Sequence, residues 1–148
     1  MRSLQWTPEN SVHFLEIDED HQSVFQKAQD LRHAFVEEAP VERMEYCLRR
    51  LAAEVARHFA HEEGLMRAAR YPATDWHLRQ HETARARMSV LRTSIRGGER
   101  RTILEALEFM AAWLRDHTSV ADRMLGAYLR NHSRVRVDRG TSCPAPNL

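Results

Sequence analysis

Apolar residues recur along most of the chain at steps of three and four, the spacing of one face of an α-helix. Val24, Phe25, Ala28, Leu31 and Phe35 follow His21 on such a face and predict a first helix over about residues 19–37. Met44, Cys47, Leu48, Leu51, Val55, His58, Glu62 and Leu65 form the stripe of a second. Pro40 suits the first turn of that helix, where its missing N–H costs nothing, and Tyr71-Pro72 closes it. Thr74 is the expected N-cap of a third helix, whose stripe is His77, His81, Ala84, Met88, Leu91 and Ile95 and whose stop is Gly97-Gly98. A fourth carries Ile103, Leu107, Met110, Leu114, His117, Ala121, Met124 and Tyr128. No alternating pattern and no internal repeat competes with this reading. Short connections make neighbouring helices antiparallel. The expected fold class is therefore all-α, an up-down-up-down antiparallel four-helix bundle within residues 1–132. Residues 1–17, with Trp6, Val12, Phe14, Leu15 and Ile17, supply an extended N-terminal arm along it; polar residues 133–148 read as a mobile tail.

Composition narrows the function classes. The 148 residues suffice for one domain with a real core, and 43% hydrophobic with 29% charged residues is ordinary for a globular protein. A formal charge of +1 leaves no nucleic-acid footprint. No apolar run is long enough to cross a bilayer, so no membrane association is expected, and Met1 to Glu9 lacks a signal-peptide core, which points to a cytoplasmic protein. Cys47 sits on an apolar helical face as a small core residue; Cys143 falls in the tail as an exposed thiol. Two such cysteines make no disulfide framework.

The chemistry lies in five of the nine histidines and two acidic residues. Positions i and i+4 of a helix lie within about 40° of each other. That spacing puts His58 with Glu62, and His77 with His81, on common faces, and both pairs continue apolar stripes instead of facing water. Buried imidazoles and carboxylates are costly unless paired or coordinated. His117 and Asp122 are five residues apart, roughly 140° on a regular helix. For both to face the centre, the helix must widen locally, as a π-bulge does, or the side chains must approach from different sides. Imidazole and carboxylate together suit iron, zinc, copper or nickel. Seven ligands are too many for one tetrahedral zinc and suit two ions bridged by carboxylates.

Ile17-Asp18-Glu19-Asp20-His21, the run His58 to Met66, Tyr71-Pro72 before His77 and His81, and Trp113-Leu114-Arg115-Asp116-His117 through Asp122 together resemble the hemerythrin family, in its single-domain bacterial form. The resemblance runs from about Trp6 to Leu129 and fills all seven of the family's ligand positions. It implies two iron ions (Fe2+/Fe3+) joined by a bridging oxo or hydroxo group. His77, His81 and His117 would bind one iron, and His21 and His58 the other, which keeps an open position. Glu62 and Asp122 would bridge them. The implied ligand is O2, taken up as the pair passes from diferrous to diferric and released on the reverse, with azide or other small anions as further ligands. Phe59, Trp113, Leu114 and Thr118 would line the O2 pocket. The family usually has isoleucine directly after the fourth-helix histidine, where this chain has Thr118.

Other residues have plainer expected roles. His13, His33, His61 and His132 read as structural or solvated, Glu63 as a solvated neighbour of Glu62, and Met66, Met88, Met110 and Met124 as core. The expected function is reversible O2 binding for carriage, storage or sensing, without catalysis. The rivals are a di-iron enzyme consuming O2, peroxide or nitric oxide, favoured by Thr118, and a signalling module acting through a partner. The chain carries no fused transmembrane, methyl-accepting or cyclase segment that would favour the last.

Overall fold

The computed structural model describes residues 3–140, with side chains to His132. A short 3-10 turn, Pro8–Asn10, lies in the N-terminal arm, followed by α1 (Leu15–Val36), α2 (Val41–Ala69), α3 (Thr74–Gly97) and α4 (Arg100–His117). A π-helical turn, Thr118–Asp122, joins α4 to α5 (Arg123–Gly140), so that α4 and α5 form one widened rod. There is no strand, and no helix is long and apolar enough to cross a membrane, among the described residues. The four rods alternate in direction. The end of α1 meets the start of α4 where Arg100 donates to the Phe35 carbonyl, and the start of α2 meets the end of α3 at the Glu45–Arg96 pair.

Several boundaries differ from those the pattern predicts, each for a local reason. Helix α1 begins at Leu15, with Phe14 extended before it, because the Asp18 carboxylate accepts from the Val12 N–H at 2.8 Å and the Ser11 hydroxyl at 2.6 Å. Pro40 stands one residue outside α2. Thr74 is the first helical residue of α3 and not its cap; its hydroxyl donates back to the Tyr71 carbonyl at 2.6 Å. Gly98 ends α3 at φ +70°, a left-handed geometry glycine adopts without strain. Helix α5 runs to Gly140, past the residue where the tail was expected to begin. Residues 141–148, with Cys143, lie outside the described residues.

Two apolar clusters fill the bundle, and in each rod the chemistry-bearing residues fall between them. The larger includes Leu4, Val24, Leu31, Leu51, Met88, Leu91, Leu107 and Leu114; the smaller is built from Val12, Ile17, Met66, Ala69, Tyr71, Leu125 and Leu129. The arm contributes to both, through Leu4 and Val12, whereas Leu15 is exposed. The apolar stripe of the fourth rod also shifts. Met124 is exposed and Leu125 fully buried, because the π turn takes up one extra residue and moves every later position on by one.

Candidate metal centre

The seven residues singled out by spacing converge at one level of the bundle. The first turns of α1 bring His21, α2 brings His58 and Glu62 one turn apart, the first two turns of α3 bring His77 and His81, and α4 ends on His117. The π turn then places Asp122 beside His117: residues five apart line up when the turn is widened, where a regular helix would separate them by roughly 140°. All seven are at most 4% exposed, and Glu62, His77, His81 and Asp122 are wholly buried.

The two carboxylates each divide their oxygens between two sets of rings. Glu62 Oε2 lies 3.0 Å from His81 Nε2 and 3.1 Å from His77 Nε2, while Oε1 faces His58 Nε2 at 3.5 Å. Asp122 Oδ1 lies 2.9 Å from His117 Nε2 and 3.2 Å from His77 Nε2; Oδ2 lies 2.7 Å from His21 Nε2 and 3.8 Å from His58 Nε2. Two groups able to hold a metal ion result, Glu62 with His77, His81 and His117, and His21 with His58, Glu62 and Asp122.

Hydrogen bonding does not account for this cluster. His58 Nε2, Glu62 Oε1, His117 Nε2 and Asp122 Oδ1 are buried and have no hydrogen-bond partner among the described residues, although charged neighbours lie close. Proximity without alignment is the arrangement of lone pairs converging on a shared centre. Orphaned groups of this kind each cost about 1–3 kcal/mol in a protein interior. Five imidazole nitrogens and two carboxylates fit a pair of borderline cations and exceed the needs of one tetrahedral ion.

The electrostatics agree. Burial works against a charged His58, yet the Glu62, Asp122 and Asp20 carboxylates around it outweigh that and push its pKa up to about 10. His77 is likewise disfavoured by burial and raised, to about 9, by the Asp122 and Glu62 carboxylates beside it. Burial and the neighbouring Asp122 charge push the Glu62 carboxyl upward, but His58, His77 and His81 hold it below its ordinary value. Asp122 is held far lower by His117, His21 and His58 against the same burial.

Aromatic rings wall the site. Phe59 stacks on His81 with centroids 3.7 Å apart, and Trp113 stacks on His117 at 4.5 Å. Leu114 and Thr118 are buried, and the Thr118 hydroxyl has no hydrogen-bond partner among the described residues.

Two carboxylates behind the rings were missed by sequence reasoning. Asp20 is buried and accepts from His58 Nδ1 at 3.2 Å, and Glu63, expected to be solvated, lies 3.2 Å from His81 Nδ1. His61 is structural, as expected, and donates to Asp20 at 2.6 Å. Burial opposes ionisation of Asp20, but bonds from His58, His61 and Arg57 hold its carboxyl well below the usual range. The only sequence signal for Asp20 was its place beside His21 at the start of an amphipathic helix.

No curated protein matches the chain. The family model for the hemerythrin HHE cation binding domain matches residues 14–129, which include every residue of the cluster. The helices, the convergent donors and that match agree: the chain belongs to the hemerythrin family.

Proposed function

We propose that this is a non-haem di-iron protein that binds O2 reversibly, for carriage, storage or sensing. The observation that carries the reading is the pair of buried carboxylates, Glu62 and Asp122, each with one oxygen toward His21 or His58 and the other toward His77 and its neighbours. In this reading His77, His81 and His117 would hold one iron and His21 and His58 the other, with Glu62 and Asp122 shared between them and an oxo or hydroxo group completing the pair. The iron pair, when bound, supplies paired one-electron changes through which O2 is taken up and given back. The unequal ring count, three against two, would leave room for O2 on the His21/His58 side.

The chain's own part is to hold and to exclude. Phe59 and Trp113 fix two of the rings by stacking and, with Leu114, keep water from the metals. Histidine outweighs carboxylate in the donor set, which limits the negative charge at the metals and with it the drive toward oxidation chemistry on a substrate.

A second reading, a di-iron enzyme consuming O2, peroxide or nitric oxide, has one specific observation in its favour. The buried, unpartnered Thr118 hydroxyl offers a hydrogen bond or a proton to a small polar ligand, where hydrocarbon would offer neither.

Absorption spectroscopy decides between the two. Protein loaded anaerobically with Fe(II) should gain a charge-transfer band in air that vanishes when oxygen is removed and returns over repeated cycles. A band that never forms, or that decays once to a ferric spectrum and cannot be cycled, refutes reversible binding; steady O2 or peroxide consumption under reductant establishes the enzyme.

A further inference from the structure

We infer that Asp20 is a positioning residue for one half of the metal pair: gripped by Arg57 and His61, it backs the His58 ring and aims Nε2 at Glu62 and Asp122. The inference rests on the di-iron reading and assigns a role within it to a residue outside the seven.

Asp20 is only 4% exposed, although it follows the exposed Glu19 at the solvent-facing start of α1. Both of its oxygens are occupied. Oδ2 accepts from His61 Nδ1 at 2.6 Å and from His58 Nδ1 at 3.2 Å, and Oδ1 accepts from Arg57 at 2.8 Å. His61 is itself held from the other side, its Nε2 lying 3.1 Å from Glu16 Oε2. The carboxylate is thus pinned between α1 and α2. A metal on His58 Nε2 would leave the ring's single proton on Nδ1, where the Asp20 carboxylate accepts it.

The five rings are not treated alike. Nδ1 of His21, His77 and His117 has no hydrogen-bond partner among the described residues. His58 and His81 each have a carboxylate there, one ring in each donor group. The two braces differ. Glu63, behind His81, is 27% exposed and has Arg85 only at 3.5 Å, while Asp20 is buried and held by two further donors. A carboxylate behind an imidazole makes it a stronger ligand, and more so away from water. The stronger brace therefore stands behind the group that has two rings instead of three. Asp20 offsets the poorer ligand count of the His21/His58 half.

Stepwise metal titration tests this. Metal-free protein, its Asp20→Asn, Asp20→Ala and Glu63→Gln variants would be titrated anaerobically with Co(II), and binding followed by visible absorption. Asparagine keeps an acceptor oxygen and drops the charge. Asp20→Asn should weaken one of the two binding steps by about 10- to 100-fold and leave the other unchanged. Asp20→Ala should weaken the same step further, and Glu63→Gln should spare it. In zinc-loaded protein, the nitrogen-15 NMR signal of His58 Nδ1 should move in Asp20→Asn while those of His77 and His117 stay. If Asp20→Ala does not fold, Arg57→Gln takes its place and should weaken the same step to a smaller degree. Equal weakening of both steps, or none, overturns the inference. Wild-type protein that takes up a single ion defeats the di-iron reading instead; there Asp20→Asn must still weaken that one step, or the inference falls as well.

Discussion

Replacing Gly126 with alanine should unlatch the N-terminal arm. An added Cβ would lie 2.5 Å from the Val12 carbonyl oxygen and 3.1 Å from Val12 Cβ, closer than such atoms approach. The far side of the contact is backbone, so it cannot rotate out of the way. That same carbonyl accepts from Arg130 at 2.6 Å, the Val12 N–H donates to Asp18, and the Val12 side chain is fully buried. Moving the arm disrupts a charge-assisted hydrogen bond worth about 1.5–3 kcal/mol. It also lifts a valine whose burial is worth up to ~1.5–3 kcal/mol. Alanine regains ~1 kcal/mol of helix propensity. With partial relaxation the net loss should be about 2–4 kcal/mol. At ~2–4 °C per kcal/mol for a chain of this size, the melting midpoint should fall by roughly 5–15 °C. Thermal unfolding by circular dichroism measures the fall, and hydrogen exchange should show the Val12 amide losing protection. An unchanged or raised midpoint would mean that helix propensity wins and the arm does not press on α5 as described.

Glu62→Ala should lose one or both metals by elemental analysis after iron loading, because no single-ended ligand replaces a bridge; retention of two ions per chain refutes the bridging role. Metal-free protein should lose stability as pH rises. His58 and His77 have folded pKa values of about 10 and about 9 against an ordinary 6.5, so the stability they contribute is fully present below pH 6.5 and disappears through pH 9–10. Chemical denaturation across that window should show the decline in metal-free protein and not in the loaded form, whose ring nitrogens carry metal instead of protons; a flat metal-free profile sinks the argument. Thr118→Val, which removes an unsatisfied buried hydroxyl at nearly constant shape, should raise stability by about 1 kcal/mol, and Thr118→Ile should slow autoxidation. A stability loss in the valine variant would show that the hydroxyl has a partner. Leu125→Ala should cost about 2–5 kcal/mol and Met124→Ala under about 0.5 kcal/mol, and the reverse order would deny the register shift in the fourth rod.

Six of the seven clustered residues, all but Asp122, were legible because they sit on apolar stripes, and a helix stripe is written in local spacing that needs no partner to be read. Even the π turn left a trace, as a five-residue gap between His117 and Asp122 that a regular helix could not close. What the turn did to the residues beyond it was not legible. Met124 fits the three-and-four pattern as well as Leu125 does, and only the widened turn decides which one is buried. The supporting carboxylates were hidden for a different reason. Asp20 meets its partners from 37 to 41 residues away on another helix, and no one-dimensional period records an encounter of that kind. Glu63 lies one residue from a donor and off the stripe, where a solvated acid would also lie. Capping was misjudged at Thr74 because its hydroxyl turns back to Tyr71 instead of forward along α3.

The π turn at Thr118–Asp122 sets the phase of everything that follows it in the fourth rod. Rewinding residues 118–122 as regular α-helix at unchanged length would rotate everything after them by ~100°. Asp122 would swing off the rings, but so would Leu125 and Leu129 out of the smaller cluster, and Arg123, Gly126 and Arg130 away from Glu9 and Val12 of the arm. The donor geometry, the end of the core and the latch of the arm thus share a single phase, set by five residues. Substitutions that leave the π turn wound act locally, while loss of the turn at constant length acts on all three at once; removing one of residues 118–121 together with the turn would restore the phase, because the aspartate would then stand four residues after His117.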